Sequence, residues 1–267
     1  MSNKFPVIAL PPRTRLSRRD LLGFAARGAA SVVVSQSLLL ACAADANSLT
    51  DTTSSTDTSG TAAGTTSGNA TCVLTAALTE GPFFVDEKLN RSDIRTDPVT
   101  GAVSAGVPLT LAFNVSRYAS SACTPLTGAY LDVWHCDSTG TYSDVSGSSQ
   151  KFLRGYQITD ANGVAAFTTI YPGWYSGRAV HIHFKLRLYA GSTKSYEFTS
   201  QFFFNDALTD SVYTLSPYNT RGSRDTRNAN DGIYSSLSPT DVAGLTLQTT
   251  KTTDGYAGVI NLGVKVG

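Results

Sequence analysis

Two histidines separated by a single residue carry the strongest chemical signal in this sequence. His181 and His183 flank Ile182, and they are two of only three histidines in the chain. Alternate side chains of a β-strand leave the same face, so both imidazoles would project together while Ile182 points the other way. Imidazole binds iron, copper, zinc and nickel, so the pair forms half of a metal site whose other ligands decide the chemistry.

Two tyrosines are the candidates for those other ligands. No cysteine or clear acidic cluster stands beside the histidine pair, but Tyr175 precedes it, and Tyr142 follows a candidate strand and a turn. A phenolate ligand favours a hard, oxidised metal, so two tyrosines combined with two histidines predict ferric iron, Fe(3+). The predicted ligands are Tyr142, Tyr175, His181 and His183.

The order of these motifs resembles the intradiol ring-cleavage dioxygenases, the family of catechol, hydroxyquinol and protocatechuate dioxygenases. The resemblance covers most of the chain after residue 71, and its motifs are Thr79-Glu80-Gly81-Pro82-Phe83-Phe84, Asp132-Val133-Trp134, Gly140-Thr141-Tyr142, Pro172-Gly173-Trp174-Tyr175 and the run from Arg178 to Phe184. The segment Ser176-Gly177 is shorter than its counterpart in the better-known members. The sequence therefore does not define the shape of the pocket rim or the identity of the substrate.

The resemblance implies a reaction and a role for each site residue. Tyr175 would be the ligand that leaves when substrate binds, and Tyr142 would stay bound. Arg178 matches the family's active-site arginine, whose fixed charge can stabilise anionic character on the substrate ring. The partners would be a small aromatic diol and O2, and the product a muconate-type dicarboxylate formed by cleavage between the two hydroxyl-bearing carbons. No reducing cofactor would be consumed.

Strand periodicity sets a condition on Arg178. Counted back from His181, residue 178 falls on the opposite face of a continuous strand, so a bend or bulge near Gly177 is required. A surface arginine is the alternative. Elsewhere, His135 is predicted to be structural rather than a ligand, and Gln201 is a candidate to enter the pocket.

The hydrophobic pattern predicts an all-β fold, a β-sandwich of mostly antiparallel strands, which the family resemblance also implies. Candidate strands rich in β-branched and aromatic residues are separated by turns that contain glycine and proline. They are residues 109–115, 129–135, 164–171, 180–189, 196–204 and 258–266, and residues 154–157 also resemble a strand. Helical patterns are limited to residues 91–94 and 239–242. Residues 72–267 have the size of one catalytic domain.

The amino-terminal region predicts export. Ser17-Arg18-Arg19-Asp20-Leu21-Leu22 precedes a modestly apolar run and resembles a twin-arginine signal. Leu39-Leu40-Ala41-Cys42 resembles a lipoprotein processing site, so residues 1–42 are predicted to be a signal that ends in a lipidated Cys42. The alternative is an ordinary signal cut near Cys42. Residues 43–71, rich in Ser, Thr, Gly and Ala, would then form a flexible tether.

This interpretation places the enzyme at the cell envelope, attached to the membrane through Cys42, or otherwise in the periplasm or secreted. In an oxidising compartment Cys72 and Cys123 are expected to pair, with Cys123 and Cys136 as the runner-up pair. Lys and Arg number 21 against 20 Asp and Glu, and no basic stripe suggests nucleic acid.

Two other classes of function fit the same residues. The His-x-His pair could belong to a metal-dependent hydrolase or a copper oxidase, and an exported β-sandwich could bind a ligand without catalysis. Colour separates these classes, because tyrosinate bound to Fe(3+) absorbs visible light whereas a zinc site is colourless.

Overall fold

The computed structural model describes residues 73–119 and 122–267. The strands in these residues are β1 (Pro108–Ala119), β2 (Ala122–Pro125), β3 (Tyr130–Trp134), β4 (Arg154–Ile158), β5 (Val164–Ile170), β6 (His181–Ala190), β7 (Thr193–Phe203), β8 (Gln248–Lys251) and β9 (Tyr256–Val264). The α-helices are α1 (Asp206–Val212) and α2 (Pro239–Leu245). Short 3-10 helices span Tyr218–Thr220, Asn228–Asn230 and Tyr234–Ser236.

The strands form two sheets. One has the order β2-β1-β9-β8, with β5 also paired to β1, and the other has the order β4-β3-β6-β7. Every named pairing is antiparallel except β1 with β9. Buried residues of both sheets share one core, for example Leu111 and Phe113 of β1 with Phe184 and Leu186 of β6. The predicted β-sandwich of mostly antiparallel strands is therefore confirmed.

The six predicted strands correspond to β1, β3, β5, β6, β7 and β9, and residues 154–157 lie in β4. The predicted helix near residue 239 is α2, which begins at Pro239. Ser238 is its N-cap, and the Ser238 side chain accepts a hydrogen bond from Asp241 N. The predicted helix at residues 91–94 is wrong. Ile94 N donates to Thr168 O at 3.0 Å, and Asp93 bridges to Thr168, because this segment binds along a strand instead of closing its own helical turns.

The two faces of β6 have opposite character. Ile182, Phe184 and Leu186 point into the core, whereas the alternate residues point outward from the second sheet. The strand register aligns one residue from each strand on this outer face, in the row Arg154, Trp134, His183 and Gln201. The segment before β1 runs along the edge strand β7, where Leu78 N donates to Thr199 O and Ser200 Oγ donates to Ala76 O. It then reaches the outer face, where Phe84 packs on Trp134 and lies under Lys185 Nζ.

The cysteine predictions have a mixed outcome. Cys136 is free and buried, so the runner-up pairing of Cys123 with Cys136 is wrong. Cys123 is disulfide-bonded. The predicted partner, Cys72, lies outside the described residues, as do the signal, Cys42 and the tether, so these stay predictions. Within residues 73–119 and 122–267, no helix combines the length and apolar character needed to span a membrane.

Candidate active site

The two histidines of the predicted site begin β6 and face each other. Their Nε2 atoms lie 3.0 Å apart, and both side chains are buried. His181 Nδ1 lies 2.6 Å from Ala179 O, and because a carbonyl only accepts, this nitrogen must carry the proton. His181 Nε2 is thereby left with a lone pair directed at His183. The ring of His183 stacks on Trp134, with 5.0 Å between ring centroids, which fixes its orientation.

Both imidazoles are held in the neutral form. Burial lowers the pKa of His181 to about 3, and the positive charge of Arg178 adds to the effect. Burial, the neighbouring His181 and Arg178 lower the pKa of His183 well below its ordinary value. A neutral imidazole is the form that binds a metal, so no proton needs to be removed at neutral pH.

The two predicted tyrosines approach the histidine pair from different depths. The hydroxyl of Tyr175 lies 3.1 Å from His181 Nε2, and this side chain is only partly buried. Tyr142 is 5% exposed, and its hydroxyl is buried without a hydrogen-bond partner. The two rings meet edge to face at 5.7 Å. Burial raises the pKa of both phenols, and it raises the pKa of Tyr142 more than that of Tyr175.

Glycines allow the two tyrosine loops to pack backbone against backbone. Gly173 N donates to Asp137 O at 3.0 Å, and an added Cβ on Gly173 would lie 2.5 Å from that oxygen. Gly140 has a φ of +81°, and its Cβ would lie 2.1 Å from Trp174 O. Any larger side chain would separate the loops. The glycines beside Tyr142 and Tyr175 therefore set the distance between the two phenols.

Arg178 lies outside the strand, as its predicted approach to the site required. A turn at residues 176–177, with Gly177 at a φ of +83°, precedes the start of β6 at His181. The guanidinium donates to Asp231 Oδ2 at 2.8 Å through Nε and to Gln201 Oε1 at 2.5 Å through Nη2. Its side chain is 19% exposed and engaged by two acceptors, so Arg178 is not a free surface residue.

The segment Gly81-Pro82-Phe83 closes another side of the site. Gly81 has a φ of +70°, and an added Cβ would lie 3.4 Å from His183 Cε1. Phe83 stacks on Tyr142 at 4.2 Å and meets Tyr175 edge to face at 6.0 Å. This part of the family motif at residues 79–84 is thus packed directly on the predicted ligands.

His135 and Gln201 behave differently from each other. Both ring nitrogens of His135 are engaged, Nδ1 with Cys136 O at 2.8 Å and Nε2 with Thr169 Oγ1 at 2.7 Å, which fits the predicted structural role. Gln201 is fully buried and faces Arg178, so it reaches the site as the sequence suggested.

Two charged residues of the site were not predicted. Arg154 is buried on β4 and donates to Ser143 Oγ at 2.9 Å and to Phe83 O at 3.3 Å, which ties together the segments on both sides of Tyr142. Asp231 is fully buried and holds Arg178. Its sequence context, Asp231-Gly232, indicates only a turn.

Four side chains at this site could hold a metal ion. No cluster of three or more His, Cys, Asp or Glu side chains occurs in the described part of the chain, so a site here depends on its tyrosines. A groove of about 720 Å³ on the other sheet, beside β9 and α2, is lined by no His, Asp, Glu, Lys or Arg. The chemistry-bearing residues therefore concentrate at the start of β6.

Comparison with known proteins agrees with this fold and site. Residues 79–214, just over half of the chain, match the family model described as Dioxygenase. This range includes Tyr142, Tyr175, Arg178 and both histidines. The chain belongs to the intradiol ring-cleavage dioxygenase family.

Individual relatives point the same way. A chlorocatechol 1,2-dioxygenase of Rhodococcus opacus is 28% identical over 133 residues, which is 42% of this chain and 51% of that protein. The chain thus spans about half the length of this curated relative. An intradiol ring-cleavage dioxygenase of Tetranychus urticae has a TM-score of 0.62 at 28% identity, over 73% of this chain and 95% of that one. The dioxygenase domain of a dioxygenase carbohydrate-binding fusion from Streptomyces sp. SirexAA-E has a TM-score of 0.51 at 27% identity, with coverages of 73% and 100%.

Proposed function

We propose that this protein is an Fe(3+)-dependent intradiol dioxygenase that cleaves catechol-type diols with O2 to muconate-type dicarboxylates. The observation that carries the proposal is the convergence of the His181 and His183 Nε2 atoms with the Tyr175 hydroxyl, beside the buried Tyr142 hydroxyl. Membership of the intradiol family supplies the class of reaction.

The residues present fit a ferric ion. The Nε2 atoms of the two neutral imidazoles face each other. When each imidazole carries its proton on Nδ1, both Nε2 atoms have a free lone pair, and one cation would bind both. The Tyr142 hydroxyl is a buried polar atom without a partner, an arrangement that calls for a ligand. Phenolate oxygens prefer hard, oxidised metals, which favours Fe(3+) over Zn(2+) or Cu(2+).

Different burial supports different roles for the two tyrosines. Tyr142 is nearly inaccessible and packed under Phe83, so it suits the ligand that stays in place. Tyr175 is partly exposed and lies on a loop, so it suits the ligand that moves aside and accepts a substrate proton on its Oη. Bound Fe(3+) would supply chelation of the catechol oxygens and activation of the ring toward O2.

Arg178 and the aromatic rim suit a flat, electron-rich substrate. The Arg178 guanidinium is held in place by two acceptors, so its charge is preorganised to stabilise anionic character on the ring. The partly buried rings of Phe83 and Tyr175 offer flat apolar surfaces for an aromatic ring. The Rhodococcus opacus relative is named for chlorocatechol, which is consistent with a catechol as the substrate class.

Iron content and colour test the ligand set. Tyr142→Phe and His183→Ala are expected to lose the visible charge-transfer band and to lower turnover by more than about 100-fold. Loss of a residue that only supports a metal ligand already lowers metal affinity or activity by about 10–100-fold, and loss of a ligand should cost more. Tyr130→Phe is the matched control, because Tyr130 lies at the far end of β3 from Trp134. Full iron content and colour in both ligand variants would reject the ligand assignment.

Product analysis tests the reaction. With labelled dioxygen, the wild-type protein is expected to place at least one labelled oxygen in a ring-opened dicarboxylate cut between the two hydroxyl-bearing carbons. Oxidation to a quinone without label would indicate a copper oxidase. A colourless zinc protein that hydrolyses esters or amides would indicate a metal hydrolase, and a metal-free protein that only binds a ligand would reject catalysis.

We also propose that the protein is exported by the twin-arginine route and anchored through a lipidated Cys42. The support is the sequence of the amino-terminal region. Intact-mass analysis of membrane-extracted protein should show a lipidated amino-terminal Cys42, and peptide mapping should show the bond between Cys72 and Cys123. A soluble mature form that begins well beyond Cys42, with both thiols free, would reject this proposal.

A further inference from the structure

The short loop from Trp174 to Ala179 carries both Tyr175 and Arg178, and it has little structure of its own. Its central residues, Ser176 and Gly177, are exposed, and no atom outside its neighbours would contact an added Cβ on Gly177. Loops of this kind usually move easily. The geometry of Tyr175 and Arg178 must therefore be set by contacts from outside the loop.

A second segment lies along the loop and supplies these contacts. We call residues 221–231 the strap. Arg221 donates to Trp174 O and places its guanidinium over the Trp174 ring, 4.6 Å from the centroid. Asp225 accepts from Ser176 Oγ at 2.6 Å and from Gly177 N at 3.2 Å. The strap thus holds the first half of the loop through two side chains.

Asp231, the last residue of the strap, holds the second half. Its Oδ2 accepts from Arg178 Nε at 2.8 Å and from Ala179 N at 2.7 Å. Its Oδ1 accepts from Ile233 N at 2.8 Å and Tyr234 N at 2.9 Å, in the turn that follows. Burial raises the pKa of Asp231, but the N–H groups of Tyr234 and Ala179 together with the Arg178 guanidinium bring it below its ordinary value.

The strap is itself fixed to the body of the sandwich. Arg224 donates to Asp206 Oδ1 at 2.5 Å and to Asp210 Oδ1 at 2.8 Å, both on α1. Asn228 donates through its side-chain amide to Phe204 O at 2.8 Å, just after the end of β7. The strap is therefore part of a rigid framework, and its contacts fix the loop relative to that framework.

We propose that Asp231 is a positioning residue for the reaction, which acts by holding Arg178 at the angle and depth at which its charge meets the substrate. This proposal rests on the proposed function, because it takes Arg178 to be the catalytic arginine. Asp231 touches neither the candidate ligands nor any group that reacts, so it acts through Arg178. Arg178 is bound at two points, by Asp231 and by Gln201, and losing one leaves the guanidinium free to rotate about the other.

The test begins with Asp231→Asn and Asp231→Ala. An amide has one oxygen, so it can accept from only one of the two pairs of N–H groups, whereas alanine serves neither. Both variants are expected to keep iron and colour, because the ligands are untouched, and to lower kcat by about 10–100-fold. The matched control is Asp97→Asn. Asp97 is also buried and accepts from backbone N–H groups, but none of its partners belongs to the site.

A double-mutant cycle separates positioning from general structural damage. In an Arg178→Ala background, Asp231→Asn is expected to change kcat by less than about threefold, because the residue through which it acts is gone. An equal loss of kcat with and without Arg178 would overturn the proposal. So would Asp231 variants with undiminished turnover.

Hydrogen exchange on the iron-free protein tests the positioning without any activity. Peptides spanning residues 174–180 are expected to exchange at least about tenfold faster in Asp231→Ala than in the wild type or in Asp97→Asn. Unchanged exchange in this loop would overturn the proposal. A wild-type protein that holds no iron and cleaves no catechol would reject the proposed function, while the exchange measurement would still decide whether Asp231 positions the loop.

Discussion

The outward face of β6 has two halves that bury polar groups in different ways. We call His181 and His183 the histidine half, and Lys185 and Arg187 the charged half. In the charged half, Arg187 bonds to Asp132 at 2.6 Å and to Asp86 at 2.8 Å, and Lys185 pairs with Glu80 and Glu197. In the histidine half, the two Nε2 atoms face each other and His183 Nδ1 has no partner.

This difference distinguishes buried polar groups that stabilise the fold from those that await a ligand. In a buried ion pair with both partners present, each charge is already satisfied, so the pair has no need of a ligand and we call it closed. A buried imidazole pair that keeps a ring nitrogen without a partner still has capacity for a ligand, and a cation can supply it. The same strand, with the same alternation, thus carries a structural half and a candidate catalytic half only two residues apart.

The largest effect is expected in the charged half, on stability. Arg187→Ala should lower the free energy of unfolding by about 3–5 kcal/mol, because it leaves the buried Asp132 carboxylate without its partner. Denaturant unfolding measures the change. Arg187→Met combined with Asp132→Leu is the matched control and should restore most of the loss. If the single variant were as stable as the wild type, the charged half would not be a closed structural network.

A smaller effect, on turnover and not on folding, is expected beside the histidine half. Arg178→Ala should retain iron and catechol binding yet lower kcat by on the order of 100-fold or more, because one preorganised charge is lost. Steady-state kinetics and the visible spectrum with bound catechol measure the two properties separately. Undiminished activity would leave the reaction in place and remove Arg178 from it.

The smallest effect concerns pH and the rim of the charged half. A hydrogen bond from Lys194 lowers the pKa of Glu197, burial opposes the shift, and Lys185 adds to it. A lowered pKa means that this contribution to stability is present above the ordinary pKa of 4.5 and is lost as the pH falls below it.

Glu197→Gln should therefore be less stable than the wild type at pH 7 by under about 1 kcal/mol, since the pair is partly exposed. The difference should shrink toward pH 3. Lys194→Met, which removes the other partner, should show the same trend. A difference that grew on acidification would contradict the assignment.

Much of the fold followed from local pattern. Runs rich in β-branched and aromatic residues, bounded by turns that contain glycine and proline, located β1, β3, β5, β6, β7 and β9. The helix α1 was missed, although Asn205 caps it by accepting from Ala207 N and Leu208 N. Seven residues give too little periodicity to identify a helix. Residues 91–94 were misjudged because their hydrogen-bond partners lie far along the chain, on β4 and β5.

The sequence by itself determined the set of candidate ligands. His181 and His183 share a face by the geometry of any strand, and the order of Tyr142, Tyr175 and Arg178 before them is part of the resemblance to the intradiol family. These are properties of spacing along one chain, and the folded structure brings all five residues together.

Only the tertiary structure decided how these residues are held. Asp231 reaches back 53 residues to Arg178, and Arg154 ties Phe83 to the Tyr142 loop. Tyr175 lies nearer the surface than Tyr142. All three features depend on which segments pack together. Local pattern carries no information on such contacts, because an Asp-Gly turn looks the same whether its carboxylate faces water or a buried guanidinium. The free energy that places each side chain comes from the packed sandwich as a whole.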